Sequence, residues 1–340
     1  MMSSEPDGPR KGSSRNDTTV AAAKSASSSD GARVKPADAL FKNLTRSAGL
    51  GLLALIAAIA AFLVLEATDA LSANTGNFLT TTEWFPNGSP PVFGVAALLF
   101  GTLLTAVIAM VIAVPVAVGI ALFITVYAPR RLAAPLAFVV DLLAAVPSVI
   151  FGLWGLIVLV PRMEGVQKFL TDYFGWIPLF ATDNGVVGRS IFVASVVLAI
   201  MILPIVAALS REVFLQVPTA HREAALALGA TRWEMIRTAV LPYGRPGVIS
   251  ASMLGLGRAM GETIAVALVL PASFDISWQV LSPAGNTIAA NVANGFAEAN
   301  DVGRGALIAS GLVLFVVTMI VNMIARAIIA RRREFSGAAA

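Results

Sequence analysis

The chain has no cysteine and one histidine, His221, among 340 residues. Disulfides, thiolate metal sites and a histidine-rich metal centre are thereby excluded. Charge is also scarce: 13% of residues are charged and 57% are hydrophobic, whereas a soluble domain carries about 25% charged residues. The phosphate-binding pattern G-x-x-x-x-G-K-[ST] does not occur, so ATP hydrolysis of that kind belongs elsewhere. There is no H-E-x-x-H spacing, and no nucleophile–histidine–acid set can be built around His221. These absences leave little room for an enzyme.

What the sequence has in abundance is apolar runs. Six are expected to span a bilayer, at about residues 47–67, 94–126, 132–160, 189–209, 248–272 and 305–330, because roughly 18 apolar residues suffice to cross. Backbone groups in lipid must find partners within their own segment, which selects helices. The runs do not alternate as barrel strands do. The expected class is therefore an all-α membrane protein with six transmembrane helices. Pro115 should kink the second span. The third is expected as one helix carrying Asp141 and Pro147, and Trp84, Trp176 and Trp278 lie in the external loops. Residues 1–45 are polar and lack apolar periodicity, which predicts a disordered cytoplasmic tail ahead of a permease domain at 46–335.

Arginine and lysine set the orientation. Eight lie in the tail, two at Arg130 and Arg131, five in the polar stretch 210–247 and four at the C-terminal end, against four on the opposite side. The positive-inside rule places both termini and the 210–247 stretch in the cytoplasm. The pI near 9.8 then reflects topology and contact with membrane lipid, not nucleic acid. The helix-turn-helix alternative fails because both ends of the stretch are tethered to membrane. No internal repeat is evident, which disfavours an inverted-repeat secondary transporter.

The 210–247 stretch is not composed like a loop. Ala220 to Leu228 are helix formers, and Gly229 suits a helix C-terminus. Thr231 and Glu234 have the spacing of a capping box, so a second helix should start there and stop at Pro242. An amphipathic helix on the lipid surface is the plain alternative to a docking element. The stretch resembles the coupling loop of ATP-binding-cassette importer permeases, whose pattern is E-A-A, three residues, G, nine residues, I-x-L-P. Glu223, Ala224, Ala225, Gly229, Leu241 and Pro242 match in register, and Ala239 stands in the isoleucine position. The resemblance implies the type I importer permease fold and docking of this loop on a separate ATPase.

The fifth span reads VISASMLGLGRAMGETIAVALVLPA. Arg258 lies about ten residues in, roughly 15 Å deep, at a cost of about 2.5 to 3.5 kcal/mol on insertion scales. Glu262 is expected one turn further on the same face, within pairing reach. Ala251, Gly255 and Ala259 form a small-residue stripe suited to close packing. The Arg258–Glu262 pair can be structural, or it can form an oxyanion site, since arginine offers a permanent charge and a planar fork of donors. Asp141 should lie at similar depth and contact Arg258 or another interior polar group, or else face water at the cytoplasmic mouth.

RAMGETIAV is similar to the R-A-x-G-E-T motif of phosphate importer permeases. AAVPSVIFGLWGLIVLVP and LSPAGNTIAANVANGFAEA resemble the PstC type more than the PstA type. The likeness covers about residues 45–330. It implies a heterodimer with a PstA-like permease, a PstB-like ATPase dimer and a PstS-like phosphate-binding protein. It also implies no cofactor on this chain, with ATP and Mg on the ATPase, and a substrate path at Arg258 and Glu262. The alternatives are the same architecture for molybdate or sulfate, or a sensor or scaffold that docks an ATPase without moving solute.

Overall fold

A computed structural model describes residues 36–182 and 185–337. Residues 1–35, most of the expected tail, lie outside the described residues. The chain divides into two units, one ending at Ala58 and the other beginning at Ile59. The boundary falls inside the first helix, α1 (Pro36–Ala73). That helix begins within the stretch expected to be disordered. Once its apolar core is helical, continuing the hydrogen-bond ladder backwards costs little.

Within the second unit, α1 is followed by a hairpin, β1 (Trp84–Phe85) and β2 (Val92–Phe93), in register Trp84↔Phe93. Trp84 packs on Phe93 and stacks on Phe274 at 6.2 Å, so it is held in a protein cluster. Next comes α2 (Ala96–Leu122), extended by a π-helical turn at Phe123–Tyr127. Pro115 is taken up inside it.

The expected third span is instead two elements. α3 (Arg130–Ala144) ends before Pro147, and α4 (Ser148–Trp154) begins after it. The ring of Pro147 removes a donor and disfavours the helical path for the residue before it. A π-helical turn at Gly155–Leu159 then leads into α5 (Val160–Phe174). The apolar helix long enough to cross is therefore Ser148–Phe174, which runs past the expected span end at 160 to within two residues of Trp176. Pro161 causes no break because it sits in the first turn of α5, where its missing N–H is not needed.

α6 (Ile191–Leu215) starts at Ser190, whose hydroxyl accepts from the Val193 N–H. It is the centre of the unit: 67% of its most apolar stretch is buried, against 33% for the α2 span. Five short elements and two long ones complete the chain: α7 (Thr219–Ala227), α8 (Arg232–Met235), a π-helical turn at Ile236–Val240, α9 (Leu241–Met260), α10 (Ile264–Val269), α11 (Ile288–Gly295) and α12 (Asp301–Gly337). Five helices among the described residues are long and apolar enough to cross a membrane. The expected fifth span is not among them, because it breaks at Gly261–Thr263 into α9 and α10.

The small-residue stripe has the expected role. A Cβ at Gly255 would stand 2.8 Å from Val206 Cγ2, and one at Gly244 would stand 2.7 Å from the Phe214 ring. Ala251 and Ala259 are buried beside them. Small residues thus seat α9 directly against α6.

Candidate functional site

The 210–247 stretch is built by its caps. α7 ends on Gly229, which has φ +85°, a conformation open to glycine at little cost. The Ala230 N–H donates to Ala225 O at 3.2 Å and the Gly229 N–H to Leu226 O at 3.0 Å. Together they form a Schellman ending. Two residues on, Thr231 and Glu234 form the capping box. The Thr231 N–H donates to Glu234 Oε2 at 2.7 Å and its hydroxyl does so at 2.8 Å. The backbone bond first, and then the hydroxyl, hold the Glu234 carboxyl below its ordinary range.

Pro242 does not stop the second helix. The chain continues from Arg232 through the π-helical turn into α9. An α-helical register would press the proline ring against the carbonyl four residues back. The wider turn, in which the Leu241 N–H reaches Ile236 O, changes that register just before the proline. One helical rod therefore runs from Arg232 to Met260.

The coupling-loop residues separate by direction. Ala225 and Leu241 pack on a buried cluster that includes Phe214, Val217, Met235, Ile236 and Val240. Glu223 and Ala224 are exposed, as are Leu228 at 89% and Trp233 at 58%. Arg222 Nη2 donates to the Phe214 carbonyl near the end of α6, and His221 lies edge-on to Tyr243 at 6.2 Å. The stretch is pinned on its inner side and leaves an apolar, uncovered outer side.

Arg258 and Glu262 do not pair. Glu262 follows the break at Gly261 and is 8% exposed. Its Oε1 accepts from the Ala265 N–H at 3.3 Å. The break leaves the first N–H groups of α10 without intrahelical acceptors, and the carboxylate supplies one. The same-face geometry assumed for a continuous helix is lost. At the other end of α10, Arg189 donates to the carbonyls of Leu268, Val269 and Leu270 at 3.1, 3.1 and 2.6 Å. Both ends of this half-helix thus meet an ionic side chain, the buried Glu262 at its start and the exposed Arg189 at its end, which partner backbone groups that the interrupted helix leaves free.

Arg258 lines a cavity of about 650 Å³ together with Ser250, Gly257, Asn322 and Arg326. No ion pair engages it among the described residues. Asp141 lies elsewhere: its Oδ2 faces both Arg211 Nη1 and Nη2 at 3.4 Å. The expected contact with Arg258 is not made; Asp141 meets Arg211, at the start of the 210–247 stretch, and remains half exposed at 50%. Arg211 also pairs with Glu212 at 2.8 Å.

Arg326 and Asn322 were not singled out in the sequence, where Arg326 counted only as a topological charge. Their four-residue spacing places both on one helix face, a signal that is visible but weak. A further polar junction had no signal of its own. Asn286 and Thr287 are 2% and 4% exposed, and the Ile288 N–H donates to Thr102 Oγ1 at 3.0 Å. A Cβ at Gly101 would stand 2.0 Å from Asn286 O, so glycine is needed for this approach.

Comparison with known proteins accords with this architecture. Over 293 residues the chain is 49% identical to the phosphate transport system permease protein PstC 2 of Mycobacterium tuberculosis, covering 85% of this chain and 90% of that protein. It is 42% identical over 304 residues to the phosphate transport system permease protein PstC of Xylella fastidiosa, covering 88% and 93%. Among solved structures, a bacterial ABC transporter involved in the import of the acidic polysaccharide alginate matches with a TM-score of 0.53 at 17% identity, over 86% of this chain and 98% of that one. That likeness establishes the all-α importer-permease fold alone. Residues 113–334 match the family described as binding-protein-dependent transport system inner membrane component, and the chain belongs to that family of multi-pass membrane transport permeases.

Proposed function

We propose that this chain is the membrane-spanning subunit of an ATP-driven importer that moves inorganic phosphate by alternating access. The chain crosses six times, with the interrupted pair α9 and α10 as the fifth crossing, and both termini are cytoplasmic. A PstA-like permease forms the second half, a PstB-like ATPase dimer binds ATP and Mg, and a PstS-like protein delivers phosphate. The similar relatives bear the name of phosphate transport permeases, which supports this choice of cargo over molybdate or sulfate.

The observation that carries the reading is Arg258. It is a permanent charge in an apolar helix, open to a cavity and without a carboxylate partner among the described residues. Such a charge is expensive in a membrane unless a watery path or a mobile counter-ion meets it. The exposed Glu223, Ala224, Leu228 and Trp233 supply the surface for the ATPase. Movement there reaches Arg258 through the rod that begins at Arg232.

Reconstitution with the three partners in vesicles tests this directly. Labelled phosphate should accumulate in an ATP-dependent manner, and excess sulfate or molybdate should not compete. Accumulation of another oxyanion in its place would reassign the cargo. ATP hydrolysis without movement of any solute would support a sensor or scaffold.

A further inference from the structure

The cavity beside Arg258 has a second cationic wall. α9 contributes Ser250, Gly257 and Arg258, which return to one side because positions seven and eight apart on a helix share a face. α12 contributes Asn322 and Arg326, four apart. The wall thus carries two guanidinium groups, an amide and a hydroxyl, and no carboxylate. Neither arginine has an ion pair among the described residues. The space between the helices is open, since nothing lies within 4 Å of a Cβ built at Gly257.

We propose that this cavity is a two-arginine site for a phosphate oxyanion, in which Arg326 is the second anion-binding residue beside Arg258. A topological arginine needs only to reach the lipid–water boundary. It has no need to share a cavity with another unpaired arginine. Two like charges on one wall repel, and an anion between them relieves that repulsion. Each guanidinium presents a planar fork suited to phosphate oxygens, while Asn322 offers a neutral amide donor; the Ser250 hydroxyl donates to Pro246 O at 3.0 Å. Arg326 lies near the C-terminal end of the last span, Asp301–Ala327. It therefore receives the ion on its way from Arg258 to the cytoplasm. This step rests on the importer reading for the identity of the ion, but not for the existence of the site.

The absence of cysteine makes a thiol at Ser250 unique in the chain. Ser250→Cys is assembled with its partner subunits in phosphatidylcholine nanodiscs. It is then treated with negatively or positively charged methanethiosulfonate reagents. The two arginines should make the anionic reagent react faster by on the order of tenfold, and inorganic phosphate should slow both reactions. Adding Arg326→Gln should remove most of the charge preference and the phosphate protection. Should that variant fail to assemble, Asn322→Asp, which sets a carboxylate in the same wall, should lower the preference without touching either arginine. An unchanged preference and unchanged protection in these variants would overturn the proposal. Protection by phosphatidylglycerol with none by phosphate would assign the arginines to a lipid headgroup and overturn their role in ion passage. Protection by sulfate or molybdate in place of phosphate would keep the oxyanion site and overturn the phosphate reading alone.

Discussion

Two arginines in apolar helices have opposite surroundings. Arg211, near the end of α6, is 12% exposed and meets Asp141 at 3.4 Å and Glu212 at 2.8 Å. Arg258, near the end of α9, meets no carboxylate among the described residues and opens on the 650 Å³ cavity. A charge already matched by fixed carboxylates has little attraction left for a mobile anion. A charge left unmatched keeps that attraction, and its cost is recovered only when an ion or water arrives. The contrast separates a charge that ties α3 to α6 from one that faces a cavity with no carboxylate among the described residues. The sequence places Arg211 in the polar stretch and Arg258 inside an apolar run, but it does not show which of them meets a carboxylate.

The sharpest way to break the contrast is to neutralise the unmatched charge. Arg258→Gln removes charge-assisted hydrogen bonds worth about 1.5 to 3 kcal/mol, or about ten- to a hundredfold in anion affinity. Phosphate uptake should fall at least that far while the subunits still co-purify. Second in size is the close packing that positions Arg258. Gly255→Ala forces a methyl to within 2.8 Å of Val206 Cγ2, and overpacking of this kind costs about 1 to 3 kcal/mol, which a lowered thermal transition of the purified complex should record.

The paired side should respond less. Asp141→Asn leaves Glu212 on Arg211, and a half-exposed pair is worth about 0 to 1 kcal/mol. The melting temperature should shift slightly and uptake should persist. The smallest effect is expected far from either arginine, at the capping box. The folded Glu234 carboxyl lies below its unfolded value, so its contribution is complete above the unfolded value, about 4.3. That contribution is lost as pH falls through the depressed folded value. An isotope-labelled carboxylate NMR signal should titrate below the ordinary glutamate range, and Thr231→Ala, which removes the hydroxyl but keeps the backbone N–H, should raise its midpoint only part of the way.

The 210–247 stretch was legible from sequence because its signals are local. Gly229, Thr231 and Glu234 act on backbone groups within a few residues, and each appears in its expected role. Pro242 misled for an equally local reason, since a π-helical turn absorbed a ring that usually ends a helix. The membrane part was less legible where partners are distant. Nothing in GLGRAMGETIAV marks the stop at Met260, because the half-helix α10 depends on Arg189 capping carbonyls 79 to 81 residues away. Asp141 found Arg211, 70 residues on, because α3 packs on α6 once Pro147 has divided the third apolar run. The packing stripe was readable because it depends only on small side chains recurring along one helix face.

The comparison of the two arginines is tested most directly by measuring labelled-phosphate uptake for Arg258→Gln and Asp141→Asn side by side. Both are reconstituted with their partners, and uptake is normalised to ATP hydrolysis. The account predicts that uptake is lost in Arg258→Gln and kept in Asp141→Asn, with hydrolysis present in both. Uptake retained by Arg258→Gln, or lost equally in the two variants, would contradict it.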